Sequence, residues 1–199
     1  EDFGSWEPAG QWNIVDTGGS NDAYAWSLNP NNDYQRNTDF ATELNGSISI
    51  PADAERPELR YYDKINIASN TMLTVEATAD DGVTWETLQS FNSSHNRPSN
   101  SDWILRQIPL DAYKGETLRL RFRAVQGSAW TKDLWLIDDL SVGEHPAPTD
   151  LTYPFTDDFE AGSANWQYEG QWLVVDDGVS ALDQSPNAEY QRNTDFAAE

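Results

Sequence analysis

Asp138 and Asp139 stand side by side inside an otherwise apolar run, Leu134 to Val142, which reads LWLIDDLSV. A carboxylate in such a run is costly to bury unless it is paired, hydrogen-bonded or metal-bound, so this pair is the first candidate for chemistry. A second acidic group, Asp80-Asp81-Gly82-Val83-Thr84-Trp85, lacks the D-x-D-x-D spacing and the distal Glu of an EF-hand loop. It reads as a hairpin turn in which Gly82 supplies the positive φ, and Trp85 is expected to pack across the fold. The third resource is aromatic, with nine tryptophans and eight tyrosines. Trp26, Trp103, Trp130 and Trp135 fall near loops or strand ends and are the candidate platforms for stacking a sugar ring. The alternative is that these rings fill and seal a core, the usual fate of large aromatics.

Catalytic constellations are weak by comparison. The chain has no Cys, and its two histidines, His95 and His145, stand in an Asn/Ser-rich loop and a Pro-containing stretch. No G-x-S-x-G elbow or H-E-x-x-H zinc motif occurs. A glycosidase-like carboxylate pair carries no information where acids are this frequent. The chain is therefore expected not to be an enzyme.

The elements that must position these residues are strands. Met72 to Thr78 (MLTVEAT) alternates apolar and polar residues with β-branched enrichment, and Thr84 to Leu88 (TWETL) returns as its hairpin partner. Thr117 to Val125 (TLRLRFRAV) sends Leu118, Leu120 and Phe122 to one side and Arg119, Arg121 and Arg123 to the other. Three guanidinium groups in a row repel one another unless acids lie across them, so Asp or Glu is expected on the neighbouring strands. No segment carries a helical stripe of a dozen residues. Short strands separated by Gly, Asn, Asp and Pro turns predict an all-β, two-sheet antiparallel sandwich.

Acids outnumber bases 34 to 12, for a net charge of −22. Such a surface repels nucleic acid and anionic membrane, attracts cations and keeps a long extracellular polymer soluble; the alternative is that the acidity reflects a saline habitat or genome bias with no ligand behind it. No run approaches the ~18 apolar residues of a membrane span, so membrane insertion is not expected. The absence of cysteine rules out disulfides and thiolate metal sites.

An internal repeat organises the chain. YQRNTDFATE begins at Tyr34, and YQRNTDFAAE begins at Tyr190, the two blocks differing only at Thr42 against Ala198. Gly10-Gln11-Trp12 recurs as Gly170-Gln171-Trp172, and Asp2-Phe3 as Asp158-Phe159. The interval of about 156 residues is too long for a solenoid and suits an array of whole domains. Pro146 and Pro148 mark a short, stiff connector. The reading is a complete module over 1–143, a linker over 144–154, and a partial second copy over 155–199.

The succession DF…W…GQW, DDGVTWETL, IPLDAYKGETLRLRFR and LWLIDDLSV resembles the MAM-like jelly-roll modules of bacterial secreted proteins, of the cleaved-adhesin or choice-of-anchor J type. The resemblance covers nearly all of 2–143 and restarts at Asp158. It implies a jelly-roll sandwich whose first and last strands lie side by side, in a non-catalytic module of secreted or cell-surface proteins. It also implies a structural cation, commonly calcium, held here by Asp138 or Asp139 with Asp2 and completed by carbonyls, since calcium takes six to eight oxygens. The alternative is that one of the acidic pair faces solvent while the other caps a buried Arg or a backbone amide. The second copy has Asp158-Phe159-Glu160 where the first has Asp2-Phe3-Gly4, so no role for that Glu carries over to the first module.

Two functions follow as expectations. The first is a structural or adhesion module of an extracellular repeat protein, with copies of itself as partner. The partial copy at 155–199 lacks counterparts of the Asp80 hairpin and of the closing strand, leaving strand edges to be paired. Another chain is expected to complete it by strand addition, and such contacts repeated head to tail build a filament. A chain that continues, or a fragment that folds back on 1–143, would remove that need. The second function is a carbohydrate-binding accessory module of a secreted hydrolase, with a glycan as partner.

Overall fold

The structure is a computed structural model that describes residues 6, 7, 10, 12–16, 19, 20, 24–96, 103–145, 173–176 and 180–183. The chain divides into two compact units, Glu1–His145 and Pro146–Glu199. The first is a sandwich of two antiparallel sheets. One sheet has the order β1 (Trp6–Glu7), β4 (Asp39–Leu44), β10 (Thr117–Gln126), β7 (Thr71–Thr78) and β8 (Glu86–Phe91), with β5 (Ile48–Ser49) beside the start of β10. The other has the order β2 (Asn13–Val15), β3 (Ala25–Ser27), β11 (Leu134–Glu144), β6 (Pro57–Asn66) and β9 (Ile104–Pro109). Apart from the pairs β2–β3, β4–β5 and β7–β8, each of which stays within one sheet, successive strands cross from one sheet to the other, as in a jelly roll. Helix among the described residues is confined to the short 3-10 turns Ser93–His95 and Asp111–Tyr113. None is long and apolar enough to cross a membrane. In the second unit β12 (Leu173–Asp176) and β13 (Ser180–Asp183) pair as an antiparallel hairpin. Asp2, Trp166, Trp172, Phe196 and the connector after His145 lie outside the described residues.

Period-two alternation decides which side chains enter the core. Along β10, Leu118, Leu120, Phe122 and Ala124 are buried, and on β6 Leu59, Tyr61, Asp63 and Ile65 point the same way. Trp135 of β11 sits at the centre, fully buried, with edge-to-face contacts to Phe122 (centroids 5.3 Å apart) and Phe91 (6.0 Å). Each such aromatic pair adds about 0.5–1.5 kcal/mol beyond its buried area. One ion pair is buried with them: Arg106 Nε lies 3.0 Å from Asp63 Oδ1. Arg106 also stacks on Phe91 at 4.7 Å. Burial pushes the Asp63 carboxyl above its ordinary range, and Arg106 pulls it back.

The outward arginines of β10 meet acids, as their spacing requires. Arg119 pairs with Glu43 at 2.9 Å and Arg123 with Asp39 at 2.6 Å. Arg121 donates to Glu76, which Thr74 Oγ1 also contacts at 2.8 Å. One expectation fails here. Trp85 does not cross the sandwich but lies outside the core, with the Arg121 guanidinium 4.1 Å from its ring centroid. Because β8 begins only at Glu86, Trp85 belongs to the turn. The closing strand β11 has β3 and β6 as neighbours, and β1 pairs with β4 in the opposite sheet; Asp2 and Phe3, on the expected first strand, lie outside the described residues.

Candidate functional site

A one-residue bridge joins Gln35 to Thr131 outside the named strands. Gln35 N–H donates to Thr131 O (2.7 Å) and Thr131 N–H to Gln35 O (2.9 Å), a hydrogen-bonded antiparallel pair. In that geometry the flanking residues face each other on the opposite side of the ribbon. Tyr34 accordingly meets Lys132, whose Nζ is 4.5 Å from its ring centroid, and Trp130 meets Arg36, whose Cζ is 4.6 Å from its ring. Tyr34 is 63% and Trp130 60% exposed. Diagonal partners on such a ribbon lie about 7–8 Å apart. The face therefore presents two exposed rings and two cations together.

The underside of this ribbon is held firmly. Asp133, 1% exposed, accepts from Ala68 N (2.7 Å), Thr71 Oγ1 (2.6 Å), Gln126 Nε2 (2.6 Å) and Thr131 Oγ1 (2.7 Å). Asn37 N–H donates to Gly127 O (2.7 Å), and Gly127 N–H to Asn70 O (2.9 Å). These bonds tie the segment carrying Trp130 to β7, to β10 and to the turn after β6. The exposed rings thus rise from an anchored loop rather than a loose one. The buried Gln35 side chain beneath them finds no hydrogen-bond partner for either amide atom among the described residues.

The four tryptophans singled out in the sequence separate. Trp130 is the exposed one. Trp103 is half-buried, with Lys64 Nζ 5.0 Å from its ring, at the far edge of the other sheet. Trp26 stacks on buried Trp12 (centroids 6.4 Å, 15° between planes) and packs against the core. Trp135 is a correction: the core closes over both of its faces, so no ring surface remains for a ligand. Tyr34, Arg36 and Lys132 are the residues that sequence reasoning missed. Tyr34 and Arg36 lie within the repeated block YQRN, which served only as a marker of repetition.

Asp138 and Asp139 occupy a β-bulge, where the pairing of β11 with β6 shifts register between Asp138 and Ser141. Asp139 adopts φ 49°, a left-handed conformation that Asp tolerates better than most residues. Asp138 Oδ2 accepts from Ser20 N–H (2.6 Å), its Oδ1 accepts from Asp139 N–H (2.8 Å), and Ser20 Oγ donates to exposed Asp139. The described geometry is that of a carboxylate capping a backbone amide beside a solvent-facing neighbour. No three His, Asp or Glu side chains among the described residues are grouped to hold a metal. Two adjacent carboxylates suit a hard cation as partial ligands, and Asp2 would have to add the third. The Asp80 turn matches the hairpin reading: Asp81 and Gly82 take φ 59° and 88°. Asp80 accepts from Thr84 N–H (2.8 Å) and Thr84 Oγ1 (2.6 Å).

No protein-family model matches the chain, and none of the curated proteins does. Solved structures of similar fold include a carbohydrate-binding module, TmCBM61, in complex with β-1,4-galactotriose, at a TM-score of 0.48 and 13% identity over 72% of this chain and 90% of that one. The family 30 carbohydrate-binding module of a cellulosomal cellulase of Clostridium thermocellum is similar at a TM-score of 0.46 and 12% identity, over 73% of this chain and 90% of that one. The K2 cleaved adhesin domain of Lys-gingipain is similar at a TM-score of 0.42 and 14% identity, over 69% of this chain and 81% of that one.

Proposed function

We propose that the first unit is a non-catalytic, glycan-binding β-sandwich module of an extracellular repeat protein, and that Tyr34 and Trp130 are its stacking platform. The observation that carries the reading is the pair of exposed rings on one face of an anchored ribbon. An exposed Trp beside an exposed Tyr leaves apolar ring area in water, which a pyranose face can cover. The net charge of −22 argues against nucleic acid and anionic membrane as partners. Both histidines are engaged structurally: His95 accepts from Asn92 N–H (3.1 Å), and His145 Nδ1 lies 2.9 Å from Glu58. A glycan array followed by affinity electrophoresis tests the proposal. The double variant Tyr34→Ala/Trp130→Ala should lose binding while keeping the parent's melting temperature. A parent that binds no glycan, or a variant that binds equally, refutes it.

The second reading is a structural or adhesion module that assembles head to tail with copies of itself. Its support lies in the second unit. There Leu173 pairs with Asp183 just after Gly170-Gln171-Trp172, as Asn13 pairs with Ser27 just after Gly10-Gln11-Trp12. YQRN follows Asp183 at the same interval as it follows Ser27. Sedimentation of the full chain over a wide concentration range tests assembly, and a monomer throughout refutes it. A calcium ion shared by Asp2, Asp138 and Asp139 belongs to the proposal, supported by the two carboxylates the bulge sets side by side.

A further inference from the structure

Acids exceed bases almost threefold in this chain, and the cations of the first unit are mostly neutralised by them. Arg60, Arg106, Lys114, Arg119, Arg121 and Arg123 each pair with Asp or Glu. Arg36 and Lys132 break that pattern. Both are exposed, each lies over an aromatic ring, and among the described residues neither has an acidic partner. The acid next to Lys132, Asp133, turns inward, where its hydrogen bonds hold it away from the ribbon face. Lys64 over Trp103 shares the feature but stands singly.

From this pairing of free cations with exposed rings we infer that the ligand of the Tyr34–Trp130 face is an acidic glycan, one whose pyranose rings carry carboxylates. The inference rests on the glycan-binding reading above and narrows it. A guanidinium stacked on a ring uses its face and keeps its N–H edge for a carboxylate, which it can grip with two parallel bonds. Lys132 supplies a second, point-like charge across the ribbon. The same rings that hold the cations in place also offer stacking area to the sugar. The overall negative charge does not defeat such a ligand. At physiological salt, charges further off than the Debye length of about 8 Å are largely screened, so the two local cations dominate at contact.

The test uses the full chain and matched probes that differ only in charge. Isothermal titration would compare tetramers of galacturonate, glucuronate and mannuronate with their methyl esters. At least one acid should bind, its ester about tenfold or more weaker, as expected when a charge-assisted contact is lost. Raising the salt should weaken the acid and leave the ester unchanged. Arg36→Gln/Lys132→Gln should bring acid and ester to the same affinity, and Lys64→Gln should change neither. If acid and ester bind alike and Tyr34→Ala/Trp130→Ala abolishes both, the site stands and the acidic specificity is wrong. If binding survives that aromatic double variant, or no probe binds, both readings fall.

Discussion

Replacing Asp133 by Ala removes the group that anchors the loop of Trp130, and its cost can be worked from the contacts. Asp133 accepts four hydrogen bonds in a site that is 1% exposed. The hydroxyls of Thr71 and Thr131 can rotate toward other acceptors once the carboxylate is gone. The Ala68 N–H and the buried Gln126 Nε2 cannot. Each buried donor left unmade costs about 1–3 kcal/mol, so the pair costs about 4 kcal/mol. In a domain of this size 1 kcal/mol lowers the melting temperature by about 2–4 °C, so Asp133→Ala should melt about 8–16 °C below the parent. Asp133→Asn keeps an acceptor for Ala68 and should lose roughly half as much. Calorimetry measures the shift, and hydrogen exchange of the amides from Gly127 to Lys132 reads the loop directly, with exchange accelerated in both variants. A melting temperature within about 3 °C of the parent, with unchanged exchange, would refute the anchoring argument.

Arg106→Met leaves Asp63 as an uncompensated buried carboxylate and should cost about 3–5 kcal/mol in urea unfolding at neutral pH, while Asp63→Asn/Arg106→Met should recover most of it; equal losses in both would show that the charge is not the cause. Gln35→Leu removes two buried amide atoms that have no partner among the described residues and should be neutral or stabilise by about 1 kcal/mol, whereas a loss would show that the amide is bonded in solution. Two carboxyls should drive stability in opposite directions with pH. Hydrogen bonds from Thr84 and Thr78 lower Asp80 to about 2, so its contribution is present above the ordinary 3.8 and is lost as pH falls through about 2. Burial raises Asp63, so its contribution is full below 3.8 and is lost as pH rises through the raised value. Urea midpoints across pH for Asp80→Asn and Asp63→Asn should each lose one of these slopes, and parallel curves for all three proteins would contradict the assignment. If Asp2 joins Asp138 and Asp139 around calcium, the ion should raise the melting temperature of the full chain by mass action and Asp139→Asn should abolish the rise. Coincident melting curves in calcium and in chelator would end that idea.

What was legible in the sequence is what alternation encodes. In β10 every second residue is apolar, and that one pattern fixed both the buried row from Leu118 to Ala124 and the outward arginines that find Glu43, Glu76 and Asp39. The acidic pair in LWLIDDLSV likewise announced an interruption, and the chain bulges there. Tryptophan carries no such signal, because a ring is apolar on its faces whether a core or a ligand covers them. Trp135 and Trp130 lie five residues apart, yet one is central to the core and the other projects into water. What separates them is the intervening Asp133, whose carboxylate draws the chain inward through donors on Ala68, Thr71 and Gln126, all remote in sequence or on another strand. The partner of Trp130 is just as distant: Arg36 reaches it through a single bridged pair, Gln35 with Thr131, too short to leave any periodicity. A face assembled by one buried acid and one isolated bridge is invisible to pattern reading. The trace it leaves is indirect, two bases in an acid-rich chain that lie within reach of aromatic residues and away from any strand that could neutralise them.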